Sequence, residues 1–134
     1  MNVKRFVVAI IGVFITILIL DYVIHSLILL NTYKDLKGVW RPDFMSKTWI
    51  MYITALVFSV LFVYIFTKNY EGKGIGEGIR YGILIGLLMN VVGAFNQYAS
   101  YPIPFTLALQ WFIYGTIEFI VCGIVTTLIY KPNS

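Results

Sequence analysis

Residues 49–67 read WIMYITALVFSVLFVYIFT, nineteen positions without a single Asp, Glu, Lys, Arg or His. As a helix this run rises about 28 Å, at ~1.5 Å per residue. That matches the hydrocarbon core of a bilayer, about 30 Å thick. The run offers no polar face to water, so it reads as a membrane-spanning helix.

Three more runs qualify on either side of it. Residues 6–30 are apolar apart from a few interruptions, chiefly Asp21 and His25. Residues 74–95 begin in a glycine-rich stretch. Residues 105–130 follow Pro104 and contain Glu118. The prediction is an all-α polytopic membrane protein: one domain of 134 residues folded as a bundle of four transmembrane helices. Composition points the same way, with 60% hydrophobic and 12% charged residues, against about 25% charged in a soluble protein. The net charge of +4 needs no nucleic-acid partner, because the basic residues flank apolar runs as membrane-anchoring charges do. The first residues, Met-Asn-Val-Lys-Arg, look like the start of a signal peptide. The following run is too long for one and lacks a small-x-small cleavage site, so an uncleaved first helix is expected.

The connections differ in character. Residues 31–48 are polar and aromatic around Trp40-Arg41-Pro42, with room for a short interfacial helix. Residues 68–73 form a tight, charged turn. Residues 96–104 carry no charge, and Pro102 and Pro104 hold them extended. Lys4, Arg5, Lys68, Lys73, Arg80 and Lys131 fall on one side of the membrane; Lys34, Lys37, Arg41 and Lys47 fall on the other. The richer side is expected to be cytoplasmic, which places both termini inside.

Two small-residue stripes predict how the helices pack. Gly74, Gly78, Gly82 and Gly86 recur at every fourth position, and Asn90, Gly93 and Gln97 continue that side. Lipid tails are as apolar as leucine, so helices associate in lipid through close backbone approach. On the last helix Trp111, Gly115, Glu118, Cys122 and Thr126 share a face. The two stripes are expected to meet. They serve either as plain packing surface or as the walls of a polar path lined by Glu118, Asn90, Gln97 and Thr126. Residues 49–67 show no such stripe and read as a lipid-facing spacer.

The ionisable residues inside the runs are the candidate proton-handling groups, because a charge at membrane depth is costly and usually has a partner or a task. Asp21 and His25 stand four apart on one helix face, so the carboxylate can take a hydrogen from the imidazole. Counted from Phe6, Asp21 lies about 22 Å into the membrane. The pair is either an outer polar clamp, tied to Gln97, Gln110 or the Trp40-Arg41 loop, or a relay or ligand site. Glu118 lies about 20 Å from the outer boundary. It is either neutral and hydrogen-bonded or paired with Arg80.

Catalytic chemistry finds no foothold. There is no Ser/His/Asp set, no pair of carboxylates on one helix, and only one Cys and one His. Lone Cys122 also excludes an internal disulfide and a zinc site. Gly72-Lys73-Gly74-Ile75-Gly76 lacks the strand before it and the Lys-Ser/Thr ending of a phosphate-binding loop. No enzyme activity, metal or cofactor is expected.

One ordered set of motifs remains. It comprises Asp21-x-x-x-His25, Trp40-Arg41-Pro42, Tyr70-Glu71-Gly72-Lys73-Gly74, Gly78-Ile79-Arg80-Tyr81-Gly82, Pro102-Ile103-Pro104, Glu118, and Ile129-Tyr130-Lys131-Pro132. Over nearly its whole length the chain resembles a group of small four-helix bacterial inner-membrane proteins. The resemblance implies a multi-pass location in the bacterial inner membrane and no particular activity.

Three functions follow as expectations. The first is a non-catalytic membrane subunit or accessory protein, packed through Gly74, Gly78, Gly82, Gly86, Gly93 and Gly115 against other membrane subunits or copies of itself. The second is a proton- or ion-coupled transporter or channel using Asp21, His25 and Glu118, with Asn90 and Gln97 along the path. The third is an electron-transfer subunit holding haem through His25.

Overall fold

A computed structural model describes residues 2–131. Among these residues there is no strand; five α-helices and two short turns of other helix types make up the fold. They are α1 (Val3–Asp21), α2 (Leu30–Lys34), α3 (Thr48–Lys68), α4 (Ile75–Ser100) and α5 (Phe105–Ile129). A wide π-helical turn, Tyr22–Ile28, prolongs α1, and a 3-10 turn, Phe44–Lys47, leads into α3. Four continuous segments are long and apolar enough to cross a membrane: Val3–Ile28, Phe44–Lys68, Ile75–Ser100 and Phe105–Ile129. The architecture is thus that of four helices able to span a bilayer, which suggests a helical membrane protein. Asn2, residues 69–74 and Lys131 gather at one end of the bundle, called basal below. The long connection with α2 and the Tyr101-to-Pro104 link sit at the other, distal end.

The boundaries differ from expectation in three places, each with a local cause. The first run does not continue as one α-helix to residue 30, because the chain widens at Tyr22 and breaks at Leu29 (φ −96°, ψ 7°). The third helix starts one residue late: Gly74 takes a left-handed φ of 82°, which glycine alone adopts without strain, and caps the helix from outside. It also runs on to Ser100 rather than stopping at 95. Asn96 and Gln97 tolerate a helix at a polar boundary, and Tyr101, extended ahead of Pro102, ends it.

α4 and α5 lie antiparallel with their backbones nearly touching. A Cβ on Gly78 would meet the Gly123 carbonyl oxygen at 2.3 Å, and one on Gly82 would meet the Phe119 carbonyl oxygen at 2.4 Å. Gly86 sits 3.1 Å from Thr116 by the same measure, and Gly115 leaves room for the Asn90 side chain. A Cβ on Gly93 or on Gly74 would meet nothing within 4 Å, so neither marks a close backbone approach. Gly123 and Gly12, neither of them in the stripes, complete it: Gly12 lets α1 approach Val125 and Ile129 of α5.

The main core fills the basal half. Ala9, Val13 and Ile17 of α1 pack with Phe62, Val63 and Phe66 of α3 and with Cys122 and Tyr130. The spacer reading of the second spanning helix is thus corrected: α3 buries Ser59, Phe62, Val63 and Phe66. Phe58, Phe62 and Phe66, one turn apart, present an aromatic edge. Tyr81 of α4 packs at a tilt against Phe62 and edge-on against Phe66, and donates its hydroxyl to the Phe62 carbonyl. Only the basal half of α3 is engaged in this way. Between residues 48 and 57 no side chain is buried.

The basal turn is organised by Glu77, a residue that carried no weight in the sequence. It is 7% exposed. Its two carboxylate oxygens accept from the backbone N–H of Glu71 (2.7 Å) and of Lys73 (2.9 Å). Placed in the first turn of α4, it also complements the positive end of the helix dipole. Thr127 of α5 donates to the Gly74 carbonyl at 3.0 Å, latching the turn to the last helix.

Candidate functional site

Where α3 leaves the bundle, a cavity of about 550 Å³ opens in the distal half. Ile24 and His25 of the π turn, Tyr33 of α2, Trp40 and Phe44 of the connection and Met51 of α3 form one side. Asn90, Gly93, Ala94 and Gln97 of α4 with Trp111, Tyr114, Gly115 and Glu118 of α5 form the other. The glycines contribute by omission. Gly93 has nothing within 4 Å of where a Cβ would stand, and Gly115 accepts Asn90 against its bare Cα. Towards the basal end the space closes on the packed Val13, Ile17, Phe62 and Cys122 cluster.

Glu118 sits at the bottom, 7% exposed. The Asp21 carboxyl of α1 is within hydrogen-bonding reach of it. A hydrogen bond between two carboxyls requires a proton between them, since an ionised carboxylate only accepts. Glu118 Oε1 accepts from no donor and Asn90 Nδ2 donates to no acceptor; both are buried and belong to residues that line the cavity. Buried polar atoms are nearly always paired, so two unpaired ones in residues that line one space single that space out.

Counting each helix from its own end put Asp21 and Glu118 at different depths; the structure brings them level. α1 overhangs α5 at the basal end, so that Gly12, more than two turns along α1, lies opposite Val125 and Ile129 in the last turns of α5. Nine residues in the distal direction from Gly12 reach Asp21, and seven from Val125 or eleven from Ile129 reach Glu118, a similar height. The expected pairing of Asp21 with His25 is not made. The widened turn carries the imidazole to Tyr33, whose hydroxyl lies 2.6 Å from His25 Nδ1. Trp111 Nε1 donates to the same hydroxyl at 2.7 Å, and Trp40 Nε1 donates to the Tyr33 carbonyl at 3.2 Å. Because indole only donates, Tyr33 accepts from Trp111 and passes its own hydrogen to His25 Nδ1. That arrangement leaves His25 Nε2 carrying the ring's hydrogen.

The other candidate residues fall elsewhere. Arg80 does not pair with Glu118; it is exposed near the basal turn, beside Gly76 and within electrostatic reach of Glu71. Thr126 is buried and bonds back to the Cys122 carbonyl at 2.8 Å, outside the cavity. Gln97 lies at the cavity's exposed rim. Gln110 does not line the cavity. For a haem iron, the chain's single imidazole has Nδ1 engaged and one nitrogen left.

Tyr33 is therefore the hub of the distal cap, and it titrates accordingly. Burial pushes its phenol up to about 12 from the usual 10.0, with the hydrogen bond from Trp111 acting in the opposite sense. The unfolded chain releases this proton first, so the cap's stabilisation is whole below pH 10 and drains away as pH rises towards 12. Tryptophan fluorescence during alkaline titration should show the loss in that window, and Tyr33→Phe should flatten it. An unchanged slope in Tyr33→Phe would assign the transition to another group.

No family model, curated protein or solved structure matches this chain.

Proposed function

We propose that this chain is a proton-coupled carrier of the bacterial inner membrane, with both termini in the cytoplasm and the cavity facing away from it. The excess of Lys and Arg at the basal end supports that orientation. The observation that carries the reading is the buried Glu118, with Asp21 within reach and its unpaired Oε1 beside the cavity. A proton between the two carboxyls has a pool of solvent or ligand to exchange with on the distal side and packed side chains on the other. This ties occupancy of the cavity to protonation of the pair. The one-sided opening suits one conformation of an alternating-access cycle better than a continuous channel.

The accessory-subunit reading draws on the outer helix faces, where neither Asn90 nor Glu118 lies. The cavity explains both Asn90 and Glu118, so the carrier reading stands ahead of it.

Infrared titration of the protein in lipid tests the proton. Wild type should show a protonated-carboxyl band that fades as pH rises. Glu118→Gln and Asp21→Asn should each remove or displace it while the helical bands persist. Spectra of wild type and Glu118→Gln that titrate alike would refute the assignment.

A further inference from the structure

We propose that the cavity's ligand is a lipophilic organic cation, which binds in exchange for the proton held by Asp21 and Glu118. The inference rests on the carrier reading and names its substrate class.

The cavity has no Lys or Arg in its lining. Arg41 and Lys47 stand nearby in the sequence, but Asp43 engages both, at 3.5 and 3.6 Å. A phosphate or carboxylate ligand would meet an acid and no counter-charge. A cation would meet the reverse. Glu118 supplies a carboxyl whose Oε1 has no partner although the residue is 7% exposed. Burying a carboxylate unpaired is costly, and a cation removes that cost.

The walls are suited to the same guest. Rings of Tyr33, Trp40, Phe44, Trp111 and Tyr114 surround the space. Aromatic faces attract ammonium groups, and cages of them are a recurrent way to hold quaternary nitrogen. The volume, about 550 Å³, is in the range that encloses a drug-sized molecule, ~300–1,000 Å³. Access suits a molecule dissolved in the membrane. Met51 is α3's one contribution to the cavity wall, beside Asn90, Gly93, Ala94 and Gln97 of α4, and the distal half of α3 buries nothing. An apolar cation can slide in sideways without leaving lipid.

The exchange balances. The cation brings one positive charge to the carboxyl pair and one proton leaves to solvent, so the buried charge is unchanged. The groups facing Glu118 are few. α1 and its π turn bring Asp21 and His25, α5 brings Cys122, and α2 brings Tyr33 at the rim. α4 offers uncharged Asn90, while its Glu77 and Arg80 are at the basal end. The distal half of α3 has no charge. Asp21 and Glu118 are thus the acids available for the exchange, with His25 the one basic side chain beside the cavity.

The test uses the full chain in mild detergent, tetraphenylphosphonium as the cation and triphenylphosphine oxide as its neutral counterpart. Binding is read by quenching of tryptophan fluorescence and proton release by a dye in weak buffer. Tetraphenylphosphonium should bind about tenfold more tightly per pH unit, hence roughly 100-fold more tightly at about pH 8 than at about pH 6, releasing one proton per cation. It should bind at least about tenfold more tightly than the neutral compound. Glu118→Gln should lose both the preference and the proton, while Glu71→Gln, an exposed acid at the basal turn, should keep them. Equal binding of the two compounds, binding indifferent to Glu118→Gln, or no binding would overturn the inference. If the infrared carboxyl band is nevertheless present in wild type and lost in Glu118→Gln, the proton-coupled reading survives and only the ligand class fails. If the band is absent, that reading fails as well.

Discussion

Gly82→Val is expected to separate α4 from α5 and to cost more than about 3 kcal/mol, beyond the usual overpacking penalty of ~1–3 kcal/mol. The reason lies in what the new side chain would strike. Its Cβ would stand 2.4 Å from the Phe119 carbonyl oxygen and 2.5 Å from Ile120 Cα. Both are backbone, so no rotamer change makes room, and the helices must part along their length. Parting them also unpacks Gly78 from Gly123, and the favourable dispersion of the whole seam goes with it. The measurement is the midpoint of unfolding in a mixed-detergent titration followed by helical circular dichroism. Gly93→Ala is the matched control. Nothing lies within 4 Å of that Cβ, and alanine favours helix over glycine by up to ~1 kcal/mol, so this variant should be neutral or slightly stabilised. Equal midpoints for the two variants would show that close approach is not what holds α4 to α5.

Glu77→Ala is expected to destabilise the basal turn by about 2–4 kcal/mol. The carboxylate accepts two backbone hydrogens, from Glu71 and Lys73. Each hydrogen bond to a charged group is worth about 1.5–3 kcal/mol, and water can replace part of that at an exposed turn. Removal also strips a negative charge from the start of a helix. Glu77→Gln keeps one accepting oxygen and turns an amide donor towards the other N–H, so it should fall between wild type and alanine. Tryptic cleavage after Lys73 reads the effect directly, in the order Glu77→Ala fastest, then Glu77→Gln, then wild type. Identical rates for all three would mean that Thr127 and the flanking helices hold the turn without Glu77.

The sequence made the helices legible because each apolar run is as long as a membrane is thick, a property that needs no tertiary information. Part of the α4–α5 seam was legible for a similar reason: Gly78, Gly82 and Gly86 recur with the helical period. The same period misled at Gly74 and Gly93, because a stripe does not say where along its length the partner stays close. The Asp21–Glu118 contact was out of reach. It depends on the overhang of α1 past α5, and no residue pattern encodes the relative height of two helices. Tyr33 was missed because it lies in a connection without periodicity. Phe58, Phe62 and Phe66 were a readable signal for the core face of α3, hidden by a run that is apolar all round. Glu77 was readable too, as an acid three residues into a helix behind a glycine.

The bare-backbone seam also decides where the molecule can adapt. Contacts at Gly78, Gly82 and Gly123 have no side-chain torsions, so there is nothing in them to rearrange. They fit at one separation or not at all. In the distal half the joints are Tyr33, Trp40, Trp111 and Phe44, each with rotatable bonds and unequal neighbours. Any change of shape that accompanies a guest must therefore be taken up there. The glycines concentrate the freedom of a small protein into the half that holds the buried, unpaired Asn90 Nδ2 and Glu118 Oε1.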